Sequence, residues 1–301
     1  MWVRGGFFCA ACGVATLLSG CGGSSTPSAP AVSPLAGNWL IVGPMPTNTL
    51  QFPPVAGFRL AMTFDVTGNN IVGAGFVNAP CQLGSSPSGI LSAVSVSFGT
   101  SATGTIAADD SFSVQTPAFP VGSISIQGKM PLTSSGEWPG SYTASIDPTV
   151  GPPCNGSSAG TVSATSFPLI SGTYVGTGSS QTTVNGVSTP VTLEVTMQQG
   201  GTVVDQVTGK PFSSNLVLTG SIRVHGSPCF TSGVMSPSPM SGVEGNQVIA
   251  TFTMDDGSTL RLQGALIDPT EARITSVATV IAGQCGKPPF FFQVPELDRQ
   301  N

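Results

Sequence analysis

The sequence predicts an all-β protein built from two tandem copies of one antiparallel module, and three observations predict it. After residue 21 the apolar residues recur with period two in short runs, and no stretch keeps a helical period. The runs are separated by turn formers, 39 Gly and 26 Pro in 301 residues, which favour backbone geometry that ends a strand. A set of landmarks in the first half also returns in the same order in the second. Disorder fits the composition poorly: only 8% of residues are charged and 40% are hydrophobic, whereas disordered chains combine high charge with low hydrophobicity.

The chain opens on Met1-Trp2-Val3-Arg4, an apolar run from Phe7 to Leu18, and then Leu18-Ser19-Gly20-Cys21. One positive charge, an apolar core of about a dozen residues and a small-residue cleavage point make an export signal. A membrane span needs about 20 apolar residues. Cys9 and Cys12 spell a CxxC inside this run. With no partner ligands around them, they read as small apolar residues of a segment that is removed. Leu18–Cys21 resembles the lipobox of bacterial lipoproteins. The resemblance implies cleavage after Gly20, lipid chains on Cys21, and a membrane as partner through that lipid. Gly22, in place of an Asp, implies the outer membrane, on its periplasmic or its exterior face. Residues 21–34 carry no charge and no periodicity and read as a flexible tether, with ends roughly 20 Å apart.

Beyond the tether lie module 1 (35–168), module 2 (169–297) and a short tail (298–301). Leu35-Ala36-Gly37-Asn38-Trp39 returns as Ile170-Ser171-Gly172-Thr173-Tyr174. Alternating segments follow, Phe58 to Phe64 and Val191 to Met197, and then Ile71 to Val77 and Leu216 to Val224. Each second segment ends before a Pro-Cys pair, Pro80-Cys81 and Pro228-Cys229. The offset grows at this point, and a longer loop from Gly200 to Asn215 accounts for it. Asp109-Asp110 then matches Asp255-Asp256, Gln127-Gly128 matches Gln263-Gly264, and a final Cys closes each half, Cys154 and Cys285. Each unit holds seven or eight strands, and closure into a small barrel or a two-sheet sandwich would cover their edges. The Gly-x-Trp opening followed by a meander is similar to the start of lipocalin- and avidin-type barrels. That resemblance covers only the first strands, and the second unit has Tyr174 where Trp would stand.

Four cysteines remain after Cys21, and they can pair in three ways. The repeat selects Cys81 with Cys154 and Cys229 with Cys285, because equivalent positions should bond equivalently. An exported chain meets an oxidising compartment in which such bridges persist. In the chain-entropy view each would contribute roughly 4 kcal/mol. Zinc is excluded by the lack of close Cys pairs in the mature chain and by a single histidine, His225.

The residues carry little chemistry. Loss of Arg4 leaves eight basic against fourteen acidic side chains, net −6, too few cations to neutralise many phosphates, so nucleic acid is excluded as a partner. The two Asp pairs sit between alternating segments and read as hairpin turns; the competing reading is calcium, which needs more oxygens at fixed spacing than are visible. His225 stands at a strand end beside Gly226, and no Gly-x-Ser-x-Gly elbow surrounds any serine. Trp39 reads as the core plug of its module. Trp138 lies near a turn, folded over the module end or exposed for stacking. Pro288 to Phe292 reads as a last core strand. The expected protein is a lipid-anchored envelope component with no cofactor, no metal and no catalytic residue. Its expected role is non-enzymatic, in binding a protein or envelope partner or in structure. The alternatives are a carrier of a small apolar ligand inside a barrel and, third, a hydrolase built around His225.

Overall fold

Eight strands follow one another in the first half: β1 (Gly37–Val42), β2 (Arg59–Thr67), β3 (Asn70–Leu83), β4 (Ser92–Ile106), β5 (Ser111–Gln115), β6 (Ser123–Lys129), β7 (Trp138–Ser145) and β8 (Ser157–Phe167). Each pairs antiparallel with the next, and β8 returns to β1, with Asn38 opposite Phe167 and Val42 opposite Ser163. This is a closed up-and-down barrel, which leaves no free sheet edge. The computed structural model describes residues 32–43, 58–83, 92–116, 123–145, 157–181, 188–204, 211–236, 241–269, 273–283 and 290–300. Among them there is no helix, and residues 32–301 form one compact unit.

Alternation decides which side chains fill the barrel. Along β2, Leu60, Met62 and Phe64 point inward and are fully buried, as period two requires. Trp39 and Trp138 meet in the interior with ring centroids 5.9 Å apart, Phe112 meets Trp138 edge-on at 4.9 Å, and Phe58 stacks on Tyr142 at 4.0 Å. Gly128 and Gly140 face each other across β6 and β7. A side chain at Gly128 would run into the Phe112 ring, so glycine there makes room for the aromatic cluster. Trp39 is the expected plug, its Nε1 donating to the Leu35 carbonyl at 2.8 Å. Trp138 is also core, 1% exposed, and not a surface platform.

The second half contributes β9 (Ser171–Gln181), β10 (Ser188–Val204), β11 (Pro211–His225), β12 (Ser232–Met235), β13 (Gly242–Glu244), β14 (Gln247–Met254), β15 (Thr259–Leu266), β16 (Ile274–Ala282) and β17 (Phe290–Arg299). The pairings run from β9 through β10, β11, β12, β14, β15, β16 and β17 back to β9. The ladder is therefore a second closed circuit. β12 and β13 both lie between β11 and β14 and share one strand position, so each half has eight.

The repeat is visible in detail. Gly37 and Gly172 both take positive φ, +125° and +113°; Leu35 and Ile170 are fully buried, and Trp39 and Tyr174 occupy equivalent interior places. Three sequence expectations are corrected. The Asp pairs are not equivalent: Asp109-Asp110 joins the fourth and fifth strand positions, whereas Asp255-Asp256 joins the fifth and sixth. The true counterpart of the first is Gly245-Asn246, between β13 and β14, and Asp110 and Gly245 share the left-handed backbone, with φ of 64° and 61°. The sequence misleads because Asp109 and Asp256 each accept from a Ser two residues on, Ser111 and Ser258, an Asx turn any hairpin can use. The loop expected from Gly200 to Asn215 is largely strand: β10 runs to Val204 and β11 starts at Pro211, with a bulge at Gln199/Gly201. And β17 continues to Arg299, which pairs with Tyr174, so residues 298 and 299 are strand and no tail.

Candidate functional site

Polar side chains gather at two places, a buried seam between the barrels and a groove on the outer face of the second. The seam is made by the β10–β11 hairpin, which extends past its own barrel. Asn38 on β1 and Thr63 on β2 point out of the first barrel, yet are 1% and 0% exposed, because the second barrel covers them. Asn38 and Gln199 exchange amide hydrogen bonds, Nδ2 to Oε1 at 2.9 Å and Nε2 to Oδ1 at 2.8 Å. Asn38 Nδ2 also donates to the Pro168 carbonyl and its Oδ1 accepts from Thr63 Oγ1 at 2.8 Å. Gln199 Oε1 accepts from the Ile170 amide and its Nε2 donates to the Asn215 carbonyl. Both amides thus use their full capacity of two donors and two acceptors. Thr63 Oγ1 accepts in turn from the Gly245 amide at 2.9 Å. Asp65 completes the seam, accepting from Ser214 Oγ at 2.5 Å and from the Asn215 amide at 2.6 Å. Leu40, from β1, packs against the core of the second barrel.

The groove lies where β17 leaves its neighbours. Pro295 bulges out between Val294 and Glu296, which pair with Ser276 and Thr275. The β9–β17 ladder breaks between Ser179–Gln293 and Val175–Asp298. Gly176 and Gly178 let the strands press close, since a Cβ at either would meet a β17 carbonyl. The result is a depression of about 700 Å³ lined by Thr177, Ser179, Gln263, Thr275, Gln293 and Pro295 and by no charged side chain. A smaller one, about 530 Å³, lies on the first barrel around Gln127, Ser113 and Lys129. The repeat landmarks Gln127-Gly128 and Gln263-Gly264 border both. Amides and hydroxyls of this kind hydrogen-bond neutral polar groups; they have no base beside them to make a nucleophile.

The expected site residues fall apart. Cys21, Cys154 and Cys285 lie outside the described residues, as does the side chain of Cys81, whose backbone lies within β3 opposite Val94, because the strand runs on past the Pro80-Cys81 pair expected to end it. Cys229 is disulfide-bonded and lies in the turn after β11, where its amide donates to Ser227 Oγ. Phe230 beside it is buried and meets Phe292 edge-on at 5.9 Å. His225 is exposed at the end of β11, opposite Thr192. Both Asp pairs are turns. Asp255 accepts from the amides and hydroxyls of Thr231 and Ser232, and the Thr231 hydroxyl above all holds its carboxyl below the usual range. Ser111 does the same for Asp109. Among the described residues, no three His, Cys, Asp or Glu side chains gather to hold a metal ion.

Sequence reasoning missed the seam. Its only signal is Gln199-Gly200-Gly201, where Gly200 is the bulged residue and interrupts a strand that otherwise alternates through Met197. No protein-family model matches the chain, and no curated protein and no solved structure matches it either.

Proposed function

We propose that the protein is a lipid-anchored component of the bacterial cell envelope whose two fused barrels serve a non-catalytic role, binding an envelope partner at the barrel surface or acting as structure. The observation that carries the non-catalytic reading is the dispersal of reactive groups. The one histidine stands exposed at a strand end, both Asp pairs are spent on turns, and the larger groove is uncharged. A general acid or base needs a partner within hydrogen-bond reach of the reacting group. The interior packing supports surface binding over the carrier alternative. The rings of Trp39, Trp138, Phe112 and Tyr142 occupy the space inside the first barrel that an apolar ligand would need.

The anchor rests on Leu18-Ser19-Gly20-Cys21 behind a basic and apolar start. The topology supports the pairing of Cys81 with Cys154 and of Cys229 with Cys285. In an up-and-down barrel alternate strands run the same way, and β7 ends and β8 begins at the end of the barrel toward which β3 runs through Cys81. In the second barrel β16 likewise ends and β17 begins at the end toward which β11 runs before Cys229. The deciding experiment labels bacterial cells with a fatty-acid probe and compares the intact mass and membrane fraction of wild type and Cys21→Ala. The wild type is expected to begin at a lipidated Cys21 and to sediment with membranes, and the variant to lose the label. A variant still cleaved after Gly20 and retained on the membrane overturns the anchor.

A further inference from the structure

One carboxylate stands at the seam without a partner. Glu244 ends β13, the short strand that packs against β2 and β3 of the other barrel. Gly245, next to it, rests on the backbone of Trp39, Ala61 and Met62. The Glu244 side chain is half-buried, its cross-strand neighbour is Gln247, and among the described residues it takes no hydrogen bond or ion pair.

The charged and titratable groups on the elements around it leave it uncompensated. β14 carries none, and β3 carries only Cys81, five residues beyond Phe76, the partner of Ala61. On β2, Asp65 is engaged by Ser214 and Asn215. Arg59 is exposed four residues before Thr63, about 13 Å along the strand from the Thr63–Gly245 contact. On β11, Arg223 pairs with Glu194 at 3.9 Å. It and His225 lie at least six residues beyond Val217, the residue opposite Gly242, about 20 Å away. Burial is accordingly the one influence on Glu244, and it pushes the carboxyl above the ordinary glutamate range.

We propose that the seam is a proton-sensitive joint, closed most firmly when Glu244 is neutral and loosened when it carries charge. A carboxylate held half-out of water with no cation or donor is penalised, and the neutral acid escapes most of that penalty. Glu244 binds its proton more tightly docked than free, so its contribution is complete below the ordinary glutamate pKa. It is lost as pH rises from that value through the raised one and stays lost above it.

The test is thermal unfolding of the full chain from about pH 4 to about pH 8, the span of ordinary and raised carboxylates, for wild type and Glu244→Gln. Gln keeps the shape and stays neutral. The wild-type Tm is expected to fall by a few degrees relative to the variant as pH rises across the window, and the variant to be the more stable at the alkaline end. Parallel curves overturn the joint. Should the variant fail to fold, hydrogen exchange on the wild type decides. Protection of the Gly245 amide, which donates across the seam to Thr63, should decline with pH beyond the intrinsic rate while that of Leu262, deep in β15, does not. Equal behaviour of the two amides overturns it as well.

Discussion

Asn38 shows what a single polar side chain does in this molecule. It sits beside Trp39 on β1 and, by alternation, points out of a barrel into what would be solvent. Covered instead, it must have every donor and acceptor met, and Gln199, Thr63 and Pro168 meet them. A buried polar group left unpaired costs about 1–3 kcal/mol. Asn38→Asp replaces the Nδ2 donor by an oxygen facing two acceptors, Gln199 Oε1 and the Pro168 carbonyl. We expect it to lower unfolding free energy by about 2–4 kcal/mol in urea titration, at the upper end of single buried-network losses. Asn38→Ser, smaller and neutral, should cost less. Equal effects would mean that the loss is one of volume and not of donor geometry.

At the scale of elements, the β10–β11 hairpin and the turn after β14 act in different ways. The hairpin is long because Thr202, Val203 and Val204 are β-formers that keep pairing after the Gly200 bulge, with φ of +86°. The stretch on either side of the bulge carries Gln199, Ser214 and Asn215 to the first barrel. The Asp255 turn stitches β14 to the start of β12 through Thr231 and Ser232. Its carboxyl lies below the ordinary range, so its contribution is present at neutral pH and is lost as pH falls from the ordinary aspartate value through the lowered one. That is the opposite sign to Glu244. Asp255→Asn should flatten the acid limb of a pH–stability curve measured by thermal unfolding and leave the limb above the carboxylate range unchanged. An unaltered acid limb would show that the turn holds without the charge.

The whole molecule consists of two cores, each closed in its own barrel, joined by a seam that is polar inside and apolar only where Leu40 and its neighbours touch. A fully satisfied polar network fixes one arrangement of the barrels, because any other register leaves its members unpaired. We expect the chain from 32 on to unfold in a single transition, with circular dichroism and tryptophan fluorescence coincident. Trp39 and Trp138, the tryptophans of that segment, both lie in the first barrel, so the fluorescence reports on that half alone. Gln199→Glu, which puts a charge into the network, should separate the two signals. Coincident curves in that variant would show that the barrels are coupled by something other than the seam.

Much of this was legible in the amino-acid sequence because it is local. Period-two alternation declares strands and their inner faces; Leu35, Trp39, Ile170 and Tyr174 declare the repeat; Asp-Ser and Asp-Gly pairs declare hairpins. The turn chemistry is so local, however, that it set the two Asp pairs against each other one hairpin out of register. The seam, the groove and the lone Glu244 were not legible. An Asn, a Gln or a Glu on the outer face of a strand reads the same whether water or another barrel lies above it. By itself, the sequence determined an all-β duplicated chain and the residues of its two interiors, since those follow from the order of side chains along a strand. Only the tertiary structure decided that each module closes into a barrel and that polar outward residues become a buried joint, because closure and docking depend on which distant strands lie side by side.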